Sequence, residues 1–422
     1  MNDHVMTTRS PDPAAVSVKR PFWKRYYYEY LDGFISFLVP GDSSAGYTII
    51  SDGLGHVEDV QAYLEAKKAA LPPDGRIVIT QYSALWEPVL RLVSHLGLRT
   101  GTVEQNWLSM GDLKNFACLA GLEPVKSGTK MLMPVYIPLA SFLLNAYLAN
   151  IWPFDHLGLF HYVVLRKPEP RLPVKNLSSV QPKPSISIIV PARNEAGTIE
   201  KIARELPELG ASTEIVFIEG NSTDNTYDEI KHIAAALGKT RRIIFGKQEG
   251  KGKGDAVRKG FDMATGDILA IYDADMTVPP EEMRKFYDAI VMNKADFING
   301  SRLVYPLEKD SMRVLNFFGN KFFSLAFSWI LGQSLKDTLC GTKVLWRSDY
   351  EKIKRGRAFF GDFDPFGDFD LLFGASKLNL KIIDLPIHYK ERVYGATNIS
   401  RWKHGWLLLK MTAFASRKLK FV

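Results

Sequence analysis

The stretch ILAIYDADM, residues 268–276, finishes an apolar run with two carboxylates separated only by Ala274. On a strand, side chains i and i+2 point to one face, so Asp273 and Asp275 are expected to face the same way. At roughly 6 Å and an effective dielectric of about 20, their repulsion is on the order of 3 kcal/mol. A hard divalent cation, Mg2+ or Mn2+, relieves that repulsion, because such ions prefer carboxylate oxygens, and an ion so held also takes phosphate oxygens. A plainer role suits the same residues: Asp275 and Thr277 capping a helix that opens at PPEEMRKF.

Other stretches carry compatible chemistry. QEGKGKGDA, residues 248–256, combines glycines that allow close backbone approach with Lys251 and Lys253 as phosphate partners. It lacks the P-loop spacing, which excludes a Walker-type NTPase. EGNSTDNT offers Glu219 and Asp224 at a strand end, where a carboxylate accepts hydrogen bonds from a base or ribose. Ser222, Thr223 and Asp224 equally suit the cap of the next helix. In FGDFDLLFGASK, Asp368 or Asp370 is the candidate general base for a hydroxyl acceptor, or else a helix N-terminal charge.

These residues need a scaffold that brings them to one edge. ISIIVPA (186–192), EIVFIEG (214–220), RRIIFGK, DILAIYDA and ADFINGSR read as strands, and helical spacing fills the gaps between them. The alternation predicts an α/β fold with a mainly parallel, helix-covered sheet. In such sheets ligands bind outside the carboxyl ends of the strands, which here read PARNE, EGNSTDNT and DAD. Residues 168–185, rich in Pro and Ser, read as a linker. Upstream of it, GYTIISD (46–52), RIVITQY (76–82) and LFHYVVLRK alternate with helical segments into a second, smaller α/β layer.

Composition limits the rest. At 422 residues the chain is too long for one core, and Cys118 and Cys340 are its only cysteines, which excludes a disulfide scaffold and fits a reducing, cytoplasmic setting. The net charge of +8 is dispersed, so no nucleic-acid partner is expected. RWKHGWLLLKMTAFASRKLKFV (401–422) has no acidic residue and reads as a basic amphipathic helix for the cytoplasmic face of a membrane. MLMPVYIPLASFLLNAYLANIWPF (131–154) is uncharged and long enough to span a bilayer. Its Pro134, Pro138, Asn145 and Asn150, and the strand pattern that follows, predict a buried helix and loop instead. SMRVLNFFGNKFFSLAFSWILG (311–332) reads as helices that cover the site or pack in the core.

The order of SIIVPARNE, IEGNSTDNT, KGKGDAVRKG, ATGDILAIYDADM, INGSR, DTLCGTK and YKERVYGATNIS resembles the family 2 glycosyltransferases of GT-A fold over residues 186–400. Within that family the resemblance is strongest to polyprenyl- (dolichyl-) phosphate sugar transferases. It implies that Pro191, Ala192, Arg193, Glu195 and Glu219 line a nucleotide pocket and that Asp273 and Asp275 hold the metal on the diphosphate. It places Arg302 and Arg313 near an acceptor phosphate and Arg392 near the donor phosphates. Members usually carry Asp where Glu219 stands and often Gln where Thr277 stands. The activity so implied is inverting transfer from a UDP- or GDP-linked sugar to a polyprenyl phosphate. Transfer to a glycan or lipid-linked saccharide hydroxyl, or a non-catalytic adaptor role, are the alternatives.

YTIISDGLGHVEDVQAYL, RIVITQYSALWEPV, NWLSMGDLKNFACLAGLEPV and LGLFHYVVLRK resemble the later half of a class I S-adenosylmethionine methyltransferase over residues 21–167. The Gly-rich turn that holds the cofactor in that family has no counterpart in FLVPGDSSAGYTIISD, so no cofactor binding is expected there.

Overall fold

A computed structural model describes residues 22–41, 46–97, 106–171, 183–305, 314–360, 367–392, 394 and 401–422. The chain divides into two units: Met1–Glu169 with Lys377–Asn379 and Ser416–Val422, and Pro170–Ser376 with Leu380–Ala415. Residues 172–182 of the expected linker lie outside the described residues.

In the first unit, β-branched runs form β1 (Tyr47–Ser51) and β2 (Arg76–Tyr82), paired in parallel. β3 (Glu123–Lys130) and β4 (Phe160–Arg166) complete a sheet of order β1-β2-β4-β3, with β4 antiparallel to both neighbours. Alternate side chains of β2 go to opposite faces. Ile77 and Ile79 meet Leu64, Leu113 and Ala117 from the helices Val60–Ala70 and Met110–Leu119. Val78 meets Leu31 and Phe34 from the helix Phe22–Leu38. The sequence reading missed β3, whose EPVKSGTK is polar and broken by proline; Pro124 sits at a bulge on an edge strand, where a missing N–H costs little.

The segment 131–154 departs from the expectation of a buried helix and loop. It folds into short turns, Ala140–Phe142, Leu143–Tyr147 and Leu148–Asn150, with most of its large apolar side chains exposed. Among the described residues no helix is long and apolar enough to cross a membrane.

The second unit holds β5 (Ile186–Ala192), β6 (Thr213–Glu219), β7 (Arg242–Lys247), β8 (Ile268–Ile271), β9 (Phe297–Ser301), β10 (Lys343–Trp346) and β11 (Ile382–Pro386). Their order is β11-β9-β10-β8-β5-β6-β7. All adjacent pairs are parallel except those of β10, which runs against β8 and β9. This is the mainly parallel α/β sheet expected. Ile188, Val190, Phe217 and Ala270 pack on Ile199, Ile202, Ile230 and Phe286 on one face. On the other, the helix Lys253–Met263 lies so close that a Cβ on Gly260 would sit 2.4 Å from Ile189. The sequence reading missed β10 and β11, four- and five-residue strands that carry Lys, Asp and Pro.

The helix Val314–Leu331 answers the two-way reading of 311–332. Phe323 and Phe327 are buried, Phe327 packs on Phe369 and Phe373, and Phe322 and Leu325 face outward. The expected amphipathic segment 401–422 is a helix, Arg401–Ala415, followed by a wider turn, Ser416–Lys420. Apolar side chains occur on its buried side (Leu408, Met411) and its exposed side (Trp406, Leu409), so they form no single stripe.

Candidate active site

From β5 the chain builds outward through β6 and β7, then returns to place β8 on β5's other flank. That switch point opens a crevice between neighbouring strand ends. Four of the sequence motifs end there.

β8 stops at Ile271, so Asp273 and Asp275 lie in a turn beyond the strand, and the premise that they share one strand face does not hold. The turn is closed by the Met276 amide donating to the Asp273 carbonyl, with Met276 itself at φ 52°. Each carboxylate has its own protein cation. Lys253, first residue of the helix Lys253–Met263, places Nζ 2.5 Å from Asp273 Oδ1. Arg392 donates from Nη2 to Asp275 Oδ2 at 3.0 Å and from Nη1 to Glu195 Oε1 at 2.7 Å. Thr277 adds its hydroxyl, 2.8 Å from Asp275 Oδ1. The repulsion read from the sequence is thus offset by side chains distant in the chain.

Electrostatics follow from this pairing. Burial raises the Asp273 carboxyl, but Lys253, Lys343 and Arg302 outweigh it and hold the group below the usual carboxylate range. Burial lowers Lys253, and Asp273 and Asp368, with Asp275, overcome it and raise its affinity for the proton. Burial pushes Glu195 up to about 7; Arg392 opposes this and Asp275 reinforces it.

The shift at Glu195 has a measurable consequence. Its folded-state value exceeds the 4.5 of an ordinary glutamate, so the stability it contributes is present below pH 4.5 and lost as pH rises through 7. A shift of this size corresponds to about 3 kcal/mol. Denaturant unfolding of wild type and Glu195→Gln at pH 5 and pH 8 is expected to show the wild type losing up to that much more between the two values. Equal losses would remove Glu195 as the source.

Pro191 and Ala192 end β5, Arg193 is exposed just after it, and Glu195 is buried. Glu219 ends β6 and accepts from the Ser222 amide at 2.5 Å. Asp224 serves the capping role left open by the sequence: its Oδ1 accepts from the Thr226 amide at 3.0 Å and its Oδ2 from the Ala196 amide at 3.5 Å.

Two expected site residues have partners within the protein. Asp370 is not brought to the cluster; Arg357 Nε holds its Oδ2 at 2.8 Å, whereas Asp368 faces Lys343 at 3.1 Å and raises Lys253. Residues two apart on a helix point to different sides, so only one of this pair could face the site, a signal already in the sequence. Arg302 is held by Asp337, its Nε and Nη2 donating at 2.8 and 2.9 Å, so that edge of its guanidinium is engaged within the protein. Arg313, and residues 395–400 of the closing motif, lie outside the described residues.

The DTLCGTK motif supplies residues to which the sequence assigned no role. Asp337 orients Arg302, and Lys343 pairs with Asp368. At Gly341 a Cβ would sit 2.2 Å from Asp273 Oδ2 and 2.3 Å from Lys253 Nζ, so only glycine leaves the pair its room.

Among the described residues no group of three or more His, Cys, Asp or Glu side chains is placed to hold a metal ion. Two oxygen-donor carboxylates beside a glycine-lined cradle nevertheless fit a divalent cation that draws its remaining ligands from substrate phosphates and water, the usual habit of Mg2+.

A family model described as Glycosyl transferase family 2 matches residues 187–354. The low-salt glycan biosynthesis hexosyltransferase Agl6 of Haloferax volcanii is 29% identical over 231 residues, 53% of this chain and 52% of the relative. The dolichol-phosphate mannosyltransferase of Saccharomyces cerevisiae is 36% identical over 109 residues, 25% of this chain and 40% of that protein. The match thus spans about half, or less, of these relatives' length. Among solved structures, the glucosyl-3-phosphoglycerate synthase of Mycobacterium tuberculosis in complex with Mn2+, UDP and glucosyl-3-phosphoglycerate is 19% identical at a TM-score of 0.40, covering 56% of this chain and 80% of that one.

Proposed function

We propose that residues 187–354, which match the model of family 2 glycosyltransferases, enable the chain to move a hexose from a nucleotide sugar to a polyprenyl phosphate. The observation that carries the reading is the pair of cations seated on the carboxylates, Lys253 on Asp273 and Arg392 on Asp275 and Glu195.

Pro191, Ala192, Arg193, Glu195 and Glu219 are the proposed nucleotide-side residues, grouped after β5 and β6. Asp273 and Asp275 would hold a divalent cation, which when bound neutralises charge on a departing diphosphate. The chain's own cations do related work. Lys253 and Arg392 are set at the same edge, where donor phosphates give them anionic partners in place of the carboxylates they now neutralise. Their positions are fixed before the reaction, so no reorganisation is needed when charge develops.

An acceptor phosphate, with a second pKa of about 6, is ionised at neutral pH and needs no general base. Both aspartates that could serve a hydroxyl acceptor are ion-paired, Asp368 with Lys343 and Asp370 with Arg357, which favours the phosphate. The yeast relative's name points the same way. The test is a mass-spectrometric screen of UDP- and GDP-sugars against a short polyprenyl phosphate. A glycosyl phospholipid product is expected; transfer only to saccharide hydroxyls would replace the acceptor, and no turnover would favour an adaptor.

For the first unit we propose a truncated methyltransferase-like layer that does not hold S-adenosylmethionine. The parallel pairing of β1 with β2 and the antiparallel β4 beside β2 support this reading, as does the missing Gly-rich turn. Calorimetry on the full chain is expected to show no heat with the cofactor; micromolar binding would overturn it.

A further inference from the structure

Segment 131–157 of the first unit is built inside out. Between 131 and 154 the side chains of Ser141, Asn145 and Asn150 are buried, and the exposed His156 and half-buried Asp155 follow only at its end. Asn145, 1% exposed, accepts at Oδ1 from the Leu132 and Met133 amides, both at 2.9 Å, and donates from Nδ2 to the Met133 carbonyl at 2.9 Å. Ser141 donates to the Val135 carbonyl at 2.8 Å and accepts from the Ile137 amide at 2.7 Å. Asn150 accepts from Lys130 Nζ at 2.6 Å.

Pegged this way, the loop turns its apolar side chains to water. Trp152 is 75% exposed and Leu139 71%, and Val135, Ile137, Phe142 and Ile151 are also exposed. Single exposed apolar residues are ordinary, but a run of them with no charge between 131 and 154 is not. Leu139 also adopts a left-handed backbone, φ 65°, which costs a branched residue on the order of 1 kcal/mol. Folding gains nothing from strain that ends in an exposed leucine.

We infer that this loop docks the first unit on a phospholipid bilayer, with its apolar tip among the acyl chains. Two features favour lipid over a protein partner. Protein interfaces carry about one hydrogen bond per 100–200 Å2, and this surface has turned its amide and hydroxyl groups inward, leaving little beyond Trp and Tyr, the residues that settle at membrane interfaces. The edge of the patch is basic. Phe421 packs on Tyr147 at 5.1 Å between ring centres, which joins the turn Ser416–Lys420, with Arg417 and Lys418 exposed, to the loop. Apolar tip and basic collar together match an anionic leaflet. The inference is independent of the transferase reading, since none of these residues belongs to the candidate active site.

The test is co-sedimentation of the full chain with vesicles of phosphatidylcholine alone and with phosphatidylglycerol added. Wild type is expected to bind both, and the anionic vesicles more tightly. Leu139→Glu with Trp152→Glu is expected to lower binding at least about tenfold, because burying a charge in place of each apolar group forfeits more than 1.4 kcal/mol. Arg417→Glu with Lys418→Glu should remove only the preference for anionic vesicles. Leu119→Glu, exposed on a helix packed against the opposite face of the sheet, is the control and should leave binding unchanged. Unaltered nucleotide-sugar hydrolysis and thermal melting in each variant show that the fold survives. Absence of wild-type binding, equal loss in the control, or a dimer in light scattering that Leu139→Glu dissolves without any vesicle binding would each overturn the inference.

Discussion

Replacing Asp275 with Asn is expected to lower sugar transfer by roughly two to three orders of magnitude, the scale of losing one preorganised charge contact to a transition state. The substitution preserves shape and can keep the Thr277 contact, but it removes the charge that Arg392 pairs with and that a divalent cation would use. Arg392 retains Glu195, so the fold should hold and the melting temperature should move little. Nucleotide-sugar hydrolysis without acceptor, measured across a Mg2+ and Mn2+ titration, separates the two roles of Asp275. A cation requirement shifted to higher concentration reports lost metal affinity; a lower plateau reports lost stabilisation of the departing group. Equal turnover in both proteins would take this carboxylate out of the chemistry.

The second large effect concerns stability. Arg171 places Nη2 2.7 Å from both Asp296 Oδ1 and Asp349 Oδ2, and its guanidinium lies over the Trp346 ring, 5.6 Å from its centre. Both carboxylates are fully buried. Arg171→Met preserves much of the apolar stem but takes from two buried acids their shared cation; Asp349 keeps Lys352 at 3.2 Å and Asp296 keeps the Lys381 amide at 2.8 Å, so the expected cost is about 3 kcal/mol, the low end for breaking a buried pair. Denaturant unfolding of the full chain checks it. Arg171→Lys is expected to recover only part of the loss, because a single ammonium cannot reproduce the planar fork. A loss below 1 kcal/mol in the methionine variant would show that the acids find other partners.

How much of this was legible in the sequence follows from the range of each interaction. β5, β6 and β8 were readable because IIV (188–190), IVFI (215–218) and ILAI (268–271) are apolar runs of the kind a doubly covered strand needs. The carboxylate pair was readable for the same local reason. Its relief was not. Arg392 reaches Asp275 from 117 positions away, a pairing no hydrophobic period records. β10 and β11 escaped because short strands between motifs leave too few residues to establish an alternation. The error over 131–154 has a different cause. Pro134, Pro138, Asn145 and Asn150 argue against a spanning helix without saying which side chains turn inward; asparagine and serine supply the interior contacts, and most large apolar side chains lie outward.

One strand direction shapes what this scaffold permits. Since β10 runs against its neighbours, Lys343 at its start pairs with Ile271 at the close of β8. The long excursion from β9 to β10 therefore departs from and lands at a single rim of the sheet, with both anchors beside the reacting groups. The landing end of that excursion is fixed, because Asp337 holds Arg302 and Gly341 gives the Asp273–Lys253 pair its room, so changes of length are tolerated only ahead of it. On the proposed transferase reading, acceptor recognition would diversify in the earlier part of that span while the strand ends of β5 and β6 stay as they are.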